Sequence, residues 1–551
     1  MKTVGIDIGG TNTDGVLLSE EGIEFHSKIP STPNDVESIG KFFEILKTEH
    51  SFHPRNIDRI VIGTTLILNS AMEGKMKKCG CVLIPGPGLS PKLVEKGDVN
   101  ETVAGYIDHR GRKVEDLDER SVERFGMDNR NDAETYAIVG KFSPRNPELE
   151  NRASDLLDEE FVSKGNEVSP VLSFPLRVST TVLNAKSKPV FNGFTRNIEK
   201  ILEKLDVSAP LYFVKSDGAM LNLEMASKIP SITIKSGPAV STLGLYALTG
   251  IDDALAIDIG GTTTDIGIID EGNPRIEENL RIVGYDTAFS SVDSVDIPLG
   301  GDSLVELDPD SNQIQIRKIR KGPAAAFGGE YPTPTDALQV LGEFEAGDRD
   351  RAFEALSDLS EESGLDVEGL AERIVEKFCR KISDHLKEFI EEHDTLKLSN
   401  DLTFLGGGVL SNFLIPRIAN RLGCDFVVPK YSEVAGAVGC AVSRVCLRTR
   451  IHIDTARSEM TVNGVQRRIE RGKTMSEEKW IDLGREEVLK VSEEAGASFF
   501  GGDEVQVKSF RFFNVVERQR VRGQICDIEG QMKPGISDKV DLEKLRGRYE
   551  G

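Results

Sequence analysis

Residues 6 to 14 read Ile6-Asp7-Ile8-Gly9-Gly10-Thr11-Asn12-Thr13-Asp14, and residues 257 to 265 repeat them as Ile257-Asp258-Ile259-Gly260-Gly261-Thr262-Thr263-Thr264-Asp265, with Thr263 in place of Asn12. A near-identity recurring once across such a distance is not the period of a solenoid. It is the pattern of two similar domains that begin with the same strand and turn. Each copy sets a short apolar strand (Val4 to Ile8; Leu255 to Ile259) before a Gly-Gly-Thr corner and a second strand (Asp14 to Leu18; Asp265 to Ile269), which predicts a β-hairpin. The glycines lack Cβ atoms, so the backbone is free to take φ > 0 and turn its N–H groups into a concavity for a phosphate oxygen. Thr11, Thr13, Thr262 and Thr264 add hydroxyl donors. Asp7 and Asp258 end the first strands with carboxylates able to hold Mg²⁺ through water or to orient a nucleophile. One such corner also fits a plain tight turn satisfied by its own Asp and Thr. Two in register fit a nucleotide clamped between domains, with one phosphate loop from each side.

Outward from the repeat, Thr403-Phe404-Leu405, Gly406-Gly407-Gly408 and Val409 to Leu422 read as strand, glycine turn and helix. That is either a plain turn or bare backbone on which an adenine or ribose can lie. Ser236-Gly237-Pro238 opens a helix, Ala239 to Leu248, with Pro at its first position and its N-terminus suited to an anion. Gly63-Thr64-Thr65, one turn before Asn69, supplies another hydroxyl-bearing turn; at both sites capping and ligand contact fit equally. Helical stripes mark core faces. Thr32-Pro33 starts a helix carrying Val36, Ile39, Phe43 and Leu46; Val190, Phe194, Ile198, Ile201 and Leu205 make a second; Leu370, Ile374, Phe378, Ile382, Leu386 and Phe389 make a third. The acidic stretch from 340 to 368 reads as a solvated face. From about residue 450 the pattern changes to arginines, the single Trp480 and a Val-, Phe- and Gly-rich tail, a small C-terminal domain of α+β type.

Composition narrows the function. The chain has 551 residues and a formal net charge of −23, without a basic stripe, which argues against nucleic-acid binding. With 38% hydrophobic and 29% charged residues it is an ordinary globular chain, long enough for several domains. Seven scattered cysteines form no disulfide framework, and Cys79-Gly80-Cys81 is too close-set for a CxxC redox or zinc site. No run reaches about 18 apolar residues, and no apolar leader precedes the first strand. The expectation is a reducing cytoplasm and no membrane. The histidines show no metal-ligand spacing, and no Ser/His/Asp or Cys/His arrangement is visible.

Residues 1 to about 445 resemble the hydantoinase/oxoprolinase A-subunit family (N-methylhydantoinase A-like), within the actin-like ATPase and sugar-kinase superfamily. The resemblance rests on Asp7 to Asp14, Gly63-Thr64-Thr65 with Asn69, Ser179 to Ala185, Lys215-Ser216-Asp217-Gly218-Ala219, Ser236 to Ala239, Asp258 to Asp265, Thr333 to Ala337 and Gly406 to Gly408, in the family's order. It implies an α/β fold of two duplicated actin-like (ribonuclease H-like) lobes around a nucleotide cleft, plus a small C-terminal α+β domain. The expected division is 1–250, 251–450 and 451–551. It also implies Mg-ATP as cofactor, phosphorylation of the carbonyl oxygen of a cyclic amide such as a hydantoin or 5-oxoproline, and a separate B-type subunit that completes hydrolysis. The phosphates fall to Gly9, Gly10, Thr11, Asn12, Thr13 and Gly260, Gly261, Thr262, Thr263, Thr264; the adenosine falls to Gly406, Gly407 and Gly408; the catalytic and metal-holding carboxylates are Asp7 and Asp258. Such phosphoryl transfer needs positioning and charge neutralisation rather than a covalent nucleophile. Alternatives within the superfamily are a reactivating or chaperone-like ATPase, the A-type subunit of an ATP-dependent ketone carboxylase, and a plain small-molecule kinase. The chain departs from the family at Pro298-Leu299-Gly300-Gly301-Asp302-Ser303, where Asp302 enters a glycine-rich loop as metal ligand, substrate contact or capped turn, the capped turn being favoured.

Overall fold

The strand Thr3–Ile8 is buried on both faces, as the middle strand of a covered sheet must be. In the computed structural model, which describes residues 1–31, 35–50, 53–308, 311–497 and 505–546, it lies at the centre of a six-stranded mixed sheet. Asn12–Ser19 and Gly22–Pro30 follow on one side in antiparallel hairpins, and Arg59–Thr64 and Leu211–Val214 run parallel on the other. The second copy of the repeat builds the same unit. Ala254–Ile259 pairs antiparallel with Thr264–Asp270 and parallel with Thr403–Gly407. The registers coincide, since Asp7 faces Asp14 and Gly63 while Asp258 faces Asp265 and Gly407.

The helical stripes lie where periodicity puts them. Leu370, Ile374, Phe378, Ile382, Leu386 and Phe389 of the helix Val367–Glu391 are buried against Leu255, Ile257 and Ile259. Val36, Ile39, Phe43 and Leu46 of the helix Asp35–Glu49 join Val4, Ile6 and Ile8, with Phe194 and Ile198 of Phe174–Lys204. The expected helix start at Thr32-Pro33 falls outside the described residues. The acidic stretch holds a helix, Arg349–Ser363, begun by the Asp348 carboxylate accepting from two backbone N–H groups and ended by Gly364 at φ 72°. Only Ala352, Leu356 and Ser360 of it are buried, too narrow a stripe to stand out among its charges.

Two helices lie between the sheets. Ser236–Thr249 and Ala435–Val442 cross backbone to backbone: a Cβ on Gly244 would lie 1.9 Å from the Ala435 carbonyl oxygen, and one on Gly439 1.8 Å from that of Val240. Any larger residue at either position drives the helices apart.

A four-stranded parallel sheet lies within residues 79–164. Residues 449–532 form a five-stranded antiparallel sheet covered by Glu477–Glu494, with buried Trp480 donating its indole N–H to Gln524 Oε1 at 2.9 Å. The last described helix, Leu542–Arg546, returns to the core beside Val16, Leu18 and Leu243. All seven cysteines are buried and unpaired. Among the described residues, no helix is long and apolar enough to cross a membrane.

Candidate active site: two glycine corners in contact

Each corner is closed by its own backbone, Gly9 N–H to Asn12 O at 3.0 Å and Gly260 N–H to Thr263 O at 2.9 Å. The expected φ > 0 is not what requires the glycines, because none of Gly9, Gly10, Gly260 and Gly261 has a left-handed backbone. Close approach bears on Gly9, Gly260 and Gly261, whereas a Cβ on Gly10 would lie 3.9 Å from Thr262 Oγ1, an ordinary contact. A Cβ on Gly9 would lie 3.1 Å from Asn12 O, and one on Gly261 would lie 2.8 Å from both Thr11 Oγ1 and Asp302 Oδ2.

The two corners meet. Thr11 Oγ1 and Thr262 Oγ1 are 3.0 Å apart, joining residues 251 positions distant in the chain. Asn12 and Thr263 flank this contact, half-buried. Thr13 and Thr264, expected among the phosphate donors, are instead buried. Thr13 Oγ1 lies 3.5 Å from Ser31 Oγ, and Thr264 donates to Leu299 O at 2.8 Å. Strand alternation is the reason, since it turns each away from the Asp that follows it.

Beneath the corners the carboxylates accumulate. Asp7 packs on bare backbone, and Cβ atoms on Gly436 and Gly63 would lie 2.2 and 3.1 Å from its oxygens. Asp258 is packed in the same way by Gly407 and Gly408, whose Cβ atoms would come within 3.2 Å and 2.9 Å, and it accepts a hydrogen bond from Ser241 Oγ. Asp14 faces Lys28 across the next strand pair and receives its ammonium at 2.8 and 2.6 Å. At the matching place in the second unit, Asp265 faces Asp296, a carboxylate where the first unit has a lysine, with Lys235 3.7 Å from Asp296. Lys235 is held at φ 62°, a strained conformation for a side chain of its size.

Five carboxylates and two lysines thus share one partly buried place. Burial, then the charges of Asp14 and Asp258, push Asp7 up to about 8 against the opposing pull of Lys28. Burial raises Asp258 despite the Ser241 hydrogen bond, and burial with Asp296 raises Asp265 well above the carboxylate range. Buried carboxylates in excess of their cations either take up protons or recruit a cation. The donor set therefore fits a hard divalent ion. Among the described residues no three acidic, His or Cys side chains converge closely enough to hold a metal directly, so the fit is for an ion that keeps its waters, as Mg²⁺ does.

The loop at Asp302 docks on the second corner through Gly301 N–H to Gly260 O at 2.9 Å and Asp302 N–H to Gly261 O at 2.8 Å. Its carboxylate, 8% exposed, is paired with Arg320 Nε at 3.2 Å beside Gly261. Gly406 and Gly407 lie inside the strand Thr403–Gly407 and are buried, so of the expected adenosine glycines only Gly408, at φ 87°, is partly exposed. Thr64 and Ser236 satisfy each other, Ser236 Oγ accepting from Thr64 N–H at 3.1 Å and donating to Thr64 O at 3.0 Å, while Asn69 donates to Thr65 Oγ1 at 3.1 Å. Asp336 accepts from Thr333, Ala325 and Ala326 in a capping role.

Sequence reasoning missed Asp14, Asp265, Ser241, Lys28, Lys235 and Asp296 as members of the site. The first two closed the quoted repeat and were visible there; Lys28 and Asp296 depend on strand register, which no motif announces.

The family model for the hydantoinase/oxoprolinase N-terminal region matches residues 3–161, and that for hydantoinase/oxoprolinase matches residues 177–449. The caprolactamase subunit alpha of Pseudomonas jessenii is 26% identical over 492 residues, 80% of this chain and 70% of that one. The acetone carboxylase beta subunit of Xanthobacter autotrophicus is 24% identical over a 600-residue alignment, 96% of this chain and 80% of the relative. The nucleotide-free structure of acetone carboxylase, from work on ATP-dependent acetone carboxylation, superposes with a TM-score of 0.75 at 19% identity over 99% of this chain and 89% of that one, a likeness of fold.

Proposed function

The chain belongs to the hydantoinase/oxoprolinase family, and on that premise we propose that it is the ATP-dependent A-type component of a cyclic-amide hydrolase. It phosphorylates the carbonyl oxygen of a hydantoin- or 5-oxoproline-type ring, and a separate B-type subunit completes the opening. A ring amide resists water. Transfer of the γ-phosphoryl group to its oxygen leaves ADP and an imidate-type phosphate ester; one water adds at the carbon and the C–N bond breaks, releasing the amine and an acyl phosphate, and a second water hydrolyses that acyl phosphate to carboxylate and phosphate.

The observation that carries this reading is the Thr11–Thr262 contact, which brings two glycine corners and their carboxylates to one place. In it, Gly9 to Asn12 and Gly260 to Thr263 hold the phosphates, Gly408 borders the adenosine, and the region divides as 1–250, 251–450 and 451–551. Asp7 and Asp258 would hold Mg²⁺ through its waters, and that ion would offset charge on the phosphates. Ser241 fixes the Asp258 carboxylate, and Lys28 balances Asp14. The buried, unpaired cysteines support a reducing cytoplasm.

The test is ATP turnover by the purified chain, with and without its B-type partner, against lactams, hydantoins, 5-oxoproline and ketones. Asp7→Ala and Asp258→Ala are expected to abolish turnover while the chain stays folded; wild-type rates in both remove the assigned role. A second reading, the A-type subunit of a ketone carboxylase, draws on the longer alignment with acetone carboxylase, and ketone-stimulated turnover with bicarbonate selects it. Turnover indifferent to every small molecule selects a reactivating ATPase.

A further inference from the structure

On the antiparallel sheet of residues 449–532, one face of the strand Thr449–Asp454 is apolar and packs under Trp480; the other is charged. Strand register sets that charged face in rows. His452 faces Asp527, which faces Arg511; two residues along, Arg450 faces Glu529, which faces Ser509. Arg145, arriving from the segment after the strand Thr135–Gly140, closes a cavity of about 20 Å³ over these rows, lined by Arg145, Arg450, His452, Arg511, Asp527 and Glu529.

Both carboxylates are committed. Asp527 takes His452 Nδ1 at 2.7 Å and Arg145 at 3.4 Å. Glu529 takes Arg450 at 2.5 Å and also Arg448. Burial opposes ionisation of Asp527, yet the His452 hydrogen bond and the charges of His452, Arg145 and Arg511 hold its carboxyl below the usual range. The nitrogen side is left over. His452 is 6% exposed and its Nε2 has no partner, nor does the buried Nε of Arg145; Arg511 makes no hydrogen bond or ion pair among the described residues. The buried Arg145 Nε–H has no acceptor and calls for an explanation; His452 Nε2, with Nδ1–H given to Asp527, adds a second donor when the ring carries both protons.

We propose that this cavity is a binding site for a small oxyanion the size of a carboxylate group, received by Arg145, Arg511 and His452 Nε2. Three guanidinium groups against two carboxylates leave it positive. Its 20 Å³ exceeds the roughly 10–15 Å³ one water needs and excludes a nucleotide. Ser509 and Arg511 are exposed, so entry is from the outer edge of the sheet. Nothing in this depends on the nucleotide reading.

The test is thermal unfolding of the full chain at pH 7 in millimolar acetate, phosphate or chloride at constant ionic strength, with ¹³C-acetate line broadening as a direct readout. Acetate is expected to raise the midpoint saturably, with an apparent Kd weakened roughly tenfold or more in Arg511→Ala, an exposed position, and in His452→Gln. Saturation by phosphate with the same losses also supports the site and identifies a tetrahedral source. No saturable response beyond chloride, or a response unchanged in both variants, overturns the proposal and leaves the cavity to water.

Discussion

Locking the two corners together tests the active-site geometry most directly. Thr11 Oγ1 and Thr262 Oγ1 are 3.0 Å apart, so cysteines in both places have their sulfurs within bonding reach after a small side-chain turn. The seven native cysteines are buried and unpaired, which leaves the engineered pair the accessible one. A disulfide would close a loop of 251 residues, and the chain-entropy relation gives about 5.5 kcal/mol of stabilisation. The contact it replaces is a single hydroxyl pair worth about 1 kcal/mol. A phosphoryl group cannot pass between hydroxyls in contact. The oxidised Thr11→Cys/Thr262→Cys chain is therefore expected to unfold at higher temperature, to lose ATP turnover, and to regain it on reduction with dithiothreitol. Mg-ATP added before the oxidant should slow cross-linking, read on a non-reducing gel. Full turnover by the completely cross-linked chain would refute the idea that phosphates lie between the corners.

Asp7 sets a pH dependence. Its carboxyl is raised in the folded chain to about 8 from 3.8. The stability it contributes is therefore whole below about pH 4 and is lost as pH rises through about 8. In magnesium-free buffer Asp7→Asn should gain on the native chain between about pH 5 and 8, by at most about 1.4 kcal/mol per pH unit; a difference in unfolding midpoint that ignores pH removes the argument. Ser241→Ala deletes a charge-assisted hydrogen bond to Asp258 worth about 1.5–3 kcal/mol, so kcat for ATP turnover should fall roughly tenfold or more with the fold unchanged by circular dichroism. Equal kcat would show that Asp258 needs no such anchor. Gly439→Val places carbon 1.8 Å from the Val240 carbonyl and should cost about 3 kcal/mol, lowering the melting temperature, whereas an unchanged melting curve contradicts the close helix crossing.

The hairpins, their shared register and the carboxylates at their ends were legible because a repeated motif carries its own alignment. The inward turn of Thr13 and Thr264 was also legible in principle, since period-two alternation places each opposite the Asp beside it. The exchange of Lys28 for Asp296 was not legible. Those residues share no motif, and only the pairing of a third strand puts them in corresponding places. The glycines were read for left-handed backbone, whereas Gly9 and Gly260 face carbonyls of their own corners and Gly261 is crowded by Thr11 and Asp302 from other segments, a contact that leaves no trace in the local sequence. Arg349–Ser363 escaped notice because three buried side chains give a helix almost no apolar signature.

Where Gly244 and Gly439 let two helices touch through their main chains, Leu243, Leu245, Ala437 and Val438 pack around the crossing and hold it at that distance. Neighbouring helices usually interlock, and moving one past the other means repacking every knob in its hole. Because Asp7 rests against Gly436 on one helix and Asp258 is tied to Ser241 on the other, the tight crossing also sets how far apart the two carboxylates stand.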